Sequence, residues 1–473
     1  MKLLGIILAF FFVSFTNKGG SDQLALSQEA LSLREQRGIE IDSLDYAVCP
    51  AYIDSLQRFG ARICHTSRWM NGATIETTIE KAYDIATWSF IKNIEITRFE
   101  ASEFSAPRKR LWETDETDYG DCQTQLALYN LPRLHEAGFH GQGVTMAVID
   151  GGFQNLNTLT IFDSIRKNGQ LLGTFDFADD PETDFYGVGA SHGARCLGLI
   201  AGNRDDYQGA ATQAQFYVMR SEESSTESPK EIDNLVAAIE KCDSLGVWIA
   251  SVSLGYVWFD YGPWDITYEQ LDGKHYRASR AATIAARKGM LLCFAAGNSA
   301  NSGWEWMNVP ADADSVLTVG AVASDSIVTN FSCRGYTADG RVKPDVCAQG
   351  KHCCITQAGN EELTFGNGTS YATPLIAGLA ACVWSAYPTE SNMQIRERII
   401  KSAHQYDSPD RNYGYGIPDA WKAYKGTTAT PEISTVNEPL STKKLFRDGQ
   451  LIILRDGVEY DILGHYNNTT LQQ

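Results

Sequence analysis

The stretch FGNGTSYATPLIAGLAA, residues 365–381, decides the reading of this chain. A Gly-rich turn, GNGTS, runs into a long succession of small and apolar residues, the pattern of a buried helix beginning near Ser370. Unpaired backbone N–H groups at such a helix start stabilise an anion beside the serine. Pro374 reads as a first-turn residue, where a helix tolerates proline. A serine in this setting is commonly a helix cap. Its hydroxyl is a poor nucleophile until a base accepts its proton.

Three other residues supply what Ser370 lacks. His192, in GASHGARCLGLIAG, is the one histidine of eight that stands in a Gly-flanked turn at the head of a small-residue helix. Asp150 closes the apolar run VTMAVID and precedes Gly151-Gly152, so its carboxylate sits at a strand's carboxyl end, placed to hold one imidazole nitrogen. Asn298 closes MLLCFAAGNS, and its amide is a donor for a developing oxyanion. Each residue has an ordinary structural explanation as a turn or cap. Four of them at strand ends and helix starts of one α/β domain point instead to nucleophilic catalysis. The chain order Asp150, His192, Asn298, Ser370 differs from Ser-Asp-His and His-Asp-Ser arrangements, and GTSYA is not a GxSxG elbow.

The surrounding pattern fits. Residues 144–150, 214–220, 247–254, 290–298 and 316–322 are short, nearly continuous apolar runs, as in parallel strands buried on both faces. Helical stretches at 228–246 and 277–289 lie between them. This alternation predicts an α/β domain over 122–425, a mainly parallel sheet with helices on both faces and reactive groups beyond the carboxyl ends of its strands.

Residues 21–105 read as a small α+β unit. LDYAVC, ARICHTS and IKNIEITRF are expected strands, AYIDSLQRF a helix, and TIETTIEKAYDIAT an extended-to-helical passage. Residues 106–121, with Arg108-Lys109-Arg110 followed by acids, read as a linker. Beyond 426 a Thr-, Ser- and Pro-containing linker leads to two apolar-alternating runs around Asp456-Gly457, the signature of a β-hairpin tail. At the other end, Lys2 precedes the apolar run Leu3–Phe15, too short to span a bilayer of about 20 residues. Residues 1–20 therefore read as a signal peptide, which implies a secreted or cell-surface protein with no stable membrane span.

A 43% apolar share is ample for a core, and a net charge of -18 excludes general nucleic-acid binding. Eleven scattered cysteines form neither a compact disulfide framework nor paired zinc motifs. Acidic residues in DFADDPETD (176–184) lack EF-hand spacing and read as a solvated loop.

Over 122–425 the chain resembles the subtilisin-family (subtilase) serine proteases. VIDGGF is similar to the family's aspartate motif, SHGARCLGLIAG to its histidine motif, AAGNS to its oxyanion-asparagine motif, and GTSYATPLIAG to its serine motif. The resemblance implies a serine endopeptidase with Asp150, His192 and Ser370 as catalytic residues, Asn298 at the oxyanion, and Ser253-Leu254-Gly255 pairing with an extended polypeptide substrate. It implies no cofactor for the chemistry, allows a structural calcium, and makes the 21–105 unit a ferredoxin-like pro-domain that inhibits the enzyme intramolecularly. The tail hairpin is similar to short C-terminal sorting modules. Two positions depart from the family pattern: Gly151 replaces a Ser or Thr after the aspartate, and Ala194 replaces a Thr after His-Gly. A non-catalytic peptide binder and an esterase or amidase on the same triad are the alternatives.

Overall fold

The computed structural model describes residues 8–99, 124–178, 184–187, 191–223, 226–426, 443–447, 450–455 and 458–460. All five apolar runs become strands of one seven-stranded sheet, ordered Val346–Gln349, Leu317–Val322, Leu291–Ala295, Ile249–Val252, Thr145–Asp150, Gln215–Arg220 and Leu171–Asp176. Every neighbouring pair is parallel. The inner strands Ile249–Val252, Leu291–Ala295 and Leu317–Val322 are buried throughout, which is why their sequences carry no polar alternation.

Strands that follow Thr145–Asp150 are laid first on one side of it (171–176, 215–220) and then on the other (249 onward). The order therefore reverses between Thr145–Asp150 and Ile249–Val252, and a crevice opens at their carboxyl ends. Asp150 and Ser253 stand there. Helices His192–Ala201 and Thr369–Ala386 belong to the core on one face, and Pro229–Ser244 and Arg277–Arg287 to the core on the other.

The N-terminal unit is a four-stranded antiparallel sheet, ordered Arg62–Ser67, Gly72–Thr78, Leu8–Phe15, Ile91–Phe99. Helices Pro50–Arg58 and Ile79–Ala86 contribute Leu56, Ala82 and Ile85 to its core. One expectation needs correction here. LDYAVC is not a strand: Ser43–Asp45 forms a short 3-10 turn, and Tyr46 makes only an isolated bridge to Leu24. A strand at Leu8–Phe15, within the residues expected as a signal peptide, completes the sheet. Leu8–Phe15 is an interior strand, paired on both edges, so leader-like apolarity has a structural cause. Phe11, Val13 and Phe15 face the unit's own core, whereas Phe10 and Phe12 turn toward Lys230 and Arg277 of the larger domain. A strand covered on both faces reads as a continuous apolar run.

This sheet rests on helices Pro229–Ser244 and Arg277–Arg287. Ser67 Oγ donates to Glu240 Oε1 at 2.5 Å, and the Arg68 guanidinium reaches Asp243 at 2.5 Å. Burial pushes both carboxyls, Glu240 and Asp243, above their ordinary range, with Arg68 and Arg34 pulling the other way. A helix inserted after the first strand, Gln28–Arg37, is capped by Ser27 and closed by Gly38 at φ 64°. It lies against the back of the larger domain: Arg34 pairs with Asp243 at 2.7 Å, and Arg37 donates to Gly289 O at 2.8 Å. The Arg37 guanidinium sits 4.2 and 4.6 Å from the ring centres of Trp248 and Trp384.

Residues 428–473 form a separate unit. Its described strands, Lys443–Arg447, Gln450–Arg455 and Val458–Tyr460, pair antiparallel in that order, and the expected Asp456-Gly457 turn lies outside the described residues. The linker expected at 106–121, with Arg108-Lys109-Arg110, lies outside the described residues.

Candidate active site

Asp150 ends its strand with its side chain fully buried. Its Oδ1 accepts the Gly151 N–H at 2.7 Å and lies 2.6 Å from His192 Nδ1. A carboxylate only accepts, so the imidazole proton belongs on Nδ1 and Nε2 is left as the basic nitrogen. Asp150 Oδ2 is buried and receives no hydrogen bond. That is the physical counterpart of the hydroxyl absent at Gly151. The close approach of the His192 helix to this strand requires the glycine that follows: a Cβ on Gly193 would meet Gly152 O at 2.5 Å and Asp150 Cβ at 2.8 Å. Ala194 is buried in the core.

Ser370 lies in the first turn of helix Thr369–Ala386, entered through Gly368 at φ 152°. The structure corrects the place of Pro374, which lies in the second turn, not the first. Lacking an N–H, it cannot bond the carbonyl four residues back, which is that of Ser370. Two side chains take over instead: Ser253 Oγ donates to Ser370 O at 2.8 Å, and the Cys196 thiol at 3.4 Å. The proline thus frees a backbone acceptor that ties the serine turn to neighbouring elements. Cys196 Sγ is also 3.9 Å from both ring nitrogens of His192, so one small residue bridges the Asp150–His192 pair and the serine. Burial, with Asp150 nearby, pushes its thiol pKa far up, so it stays protonated as a packing group.

Asn298 is held by the residue before the serine. Its Oδ1 accepts the Thr369 N–H at 2.8 Å and the Thr369 hydroxyl at 3.0 Å. Thr369 Oγ1 in turn accepts the Gly297 N–H at 3.1 Å. Because a backbone N–H only donates, the amide orientation is fixed and Nδ2 remains to serve the cavity that Asn298 and Ser370 line. That cavity, of about 320 Å³, is walled on another side by Ser253, Leu254 and Gly255, the expected substrate edge. Sequence reading missed four contributors: Cys196 under the imidazole, Thr369 as the clamp on Asn298, and Glu227 and Asp260 in the cavity wall. Their signals are contacts between distant segments, which no local pattern carries.

Only part of the acidic stretch 176–184 is among the described residues. Asp176 is committed to Arg220 at 2.7 Å and to the Ala178 N–H, while residues 179–183 lie outside the described residues.

A parallel α/β sheet with a buried Asp–His pair, a serine at a helix start and a clamped asparagine has the features of a serine hydrolase. Residues 141–416 match the subtilase family (peptidase S8), and residues 11–111 match the peptidase S8 propeptide domain of Bacteroidota. The chain belongs to the subtilase family and is a serine-type endopeptidase that carries a propeptide domain. Among its curated relatives, subtilisin E of Bacillus subtilis is 31% identical over 291 residues, covering 60% of this chain and 67% of that one. Subtilisin of Bacillus pumilus is 31% identical over 291 residues, 92% of its length. Serine protease AprX of Bacillus subtilis is 27% identical over 322 residues, 60% of this chain and 67% of the relative.

Proposed function

We propose that the protein is an exported zymogen whose endopeptidase chemistry runs through Asp150, His192 and Ser370. The 2.6 Å contact between Asp150 Oδ1 and His192 Nδ1 carries this reading, because it fixes the tautomer a general base needs. His192 Nε2 takes the Ser370 hydroxyl proton as the oxygen attacks a peptide carbonyl. The tetrahedral oxyanion is held by Asn298 Nδ2 and the Ser370 N–H at the helix start. His192 then gives the proton to the departing amine, and water repeats the cycle on the acyl-enzyme. Ser253-Leu254-Gly255 offers backbone groups to an extended substrate. No cofactor enters any step.

The N-terminal unit, seated on the helices beside the cleft, acts as the intramolecular inhibitor until residues 106–121 are cut. Export through the N-terminal apolar run is supported by the disulfide of Cys354, which fits an oxidising compartment.

The test is fluorophosphonate labelling together with maturation of the full chain. Wild type should label at Ser370 and shed its N-terminal unit, and Ser370→Ala should do neither. Labelling that persists in Ser370→Ala overturns the assignment.

A further inference from the structure

We infer that the cleft selects substrates with a Lys or Arg side chain close to the scissile bond, and that Glu227 is the residue that reads it. The inference rests on the serine-peptidase reading above. Among the described residues, the cavity beside Ser370 has two charged residues in its wall, Glu227 and Asp260, and no Lys, Arg or His. Asp260 is locked to Glu227: its Oδ2 accepts the Glu227 N–H at 2.9 Å, and its own N–H donates to Glu227 O at 2.9 Å. The two segments thus form one rigid acidic wall.

Behind this wall stand further carboxyl groups. The carboxylates of Glu222, Glu227 and Glu231 have oxygens within 4.8 Å of one another, and Glu222 and Glu231 are only 5% and 0% exposed. Both buried groups accept hydrogen bonds. Glu231 takes the N–H groups of Glu223 at 2.9 Å and Ser228 at 3.2 Å, and Glu222 takes the Tyr256 hydroxyl at 2.6 Å. Carboxylate oxygens gathered in this way suit a cationic side chain arriving in the cleft. The rest of the wall suits the remainder of such a side chain. Leu254, Val257, Trp258 and Phe259 offer apolar and aromatic surface to a methylene stem and to the face of a guanidinium.

The chain's own sequence contains a substrate of this chemistry. Residues 106–121, which join the inhibitory unit to the peptidase domain, include Arg108-Lys109-Arg110 in a protein of net charge -18. Maturation requires a cut in this segment, and the basic triplet is what an acidic cleft would hold.

The experiment digests a mixed peptide library with matured wild-type enzyme, then compares paired peptides that differ only by Arg or Gln at the enriched position. Arg and Lys should be enriched at one position near the cut, and the Arg-over-Gln ratio of kcat/KM should fall as salt is added. Glu227→Gln should lower that ratio roughly 10- to 100-fold, as loss of a charge-assisted hydrogen bond does. Glu227→Lys should invert it. An enzyme that labels with fluorophosphonate and cleaves, yet shows a flat profile, overturns the inference and leaves the peptidase reading intact. Absence of both labelling and cleavage removes both. A preference that vanishes on chelation and returns with calcium assigns the carboxylates to a metal and overturns the inference as well.

Discussion

Replacing Arg37 by Ala should loosen the inhibitory unit without touching the cleft. Arg37 ends the Gln28–Arg37 helix, on the back of the peptidase domain, between Trp248 and Trp384 and bonded to Gly289 O. Two desolvated indole contacts contribute about 1–2 kcal/mol each, and a hydrogen bond from a charged donor about 1.5–3 kcal/mol. Against this stands the cost of drying the guanidinium, visible in a pKa lowered by burial to about 10. A net loss of about 2 kcal/mol on truncation is expected, or roughly 30-fold weaker retention of the cleaved unit. The assay follows activity as the self-cleaved but undissociated enzyme is diluted. Arg37→Ala should release activity at a roughly 30-fold higher concentration than wild type, accompanied by a change in Trp fluorescence. Arg37→Lys keeps the charge but loses the planar stack, and should lie between. Glu35→Ala, exposed on the same helix, should behave as wild type. Release of wild type and Arg37→Ala at the same concentration would refute the idea that this helix anchors the inhibitor.

Asn298→Ala should lower kcat about 10²- to 10³-fold with little change in KM, and Thr369→Val should lower it in the same direction by freeing the amide it clamps. Steady-state kinetics of the pair and the double variant should show non-additive losses, since both act on one donor. Gly193→Ala, whose Cβ would meet Gly152 O at 2.5 Å, should separate His192 from Asp150 and suppress fluorophosphonate labelling while circular dichroism still reports a folded chain. Gly151→Ser has room, the nearest atom to its Cβ being Glu222 Cβ at 3.8 Å. It gives Asp150 Oδ2 a donor and should stabilise the domain by about 1 kcal/mol, or about 2–4 °C in a thermal melt.

The sequence shows the centre of the fold better than its edges, for physical reasons. Strands buried on both faces, such as Leu317–Val322, announce themselves as unbroken apolar runs. Edge strand Leu171–Asp176 alternates exposure and includes Gly173, so it leaves no such run. Val346–Gln349, at the other edge, is only four residues long. Asp150, His192, Asn298 and Ser370 were legible because each sits where a periodic pattern breaks into glycine. The grip on them was not, since the Cys196–Ser370 and Ser253–Ser370 bonds join residues 174 and 117 positions apart. The N-terminal run has a clear local pattern that a leader and an interior strand share, and its pairing with Gly72–Thr78 and Ile91–Phe99 joins residues too distant for that pattern to show.

That strand has a consequence for the birth of the molecule. Leu8 pairs with Thr78 and Ala9 with Phe99, so the middle of the sheet is synthesised first and finds its second neighbour last. At about 5–20 residues per second, a run containing AFFFV waits on the order of ten seconds before both its edges are covered. Uncharged and rich in aromatics, it is during that interval a segment prone to stick to its own kind. The chain therefore depends on whatever shelters nascent polypeptides more heavily at its inhibitory end than at its catalytic one. After maturation the same layout works in reverse. One cut in the Thr16–Gly20 turn disconnects the strand at the sheet's heart, so the released inhibitor falls apart where loss of an edge strand would only have trimmed it.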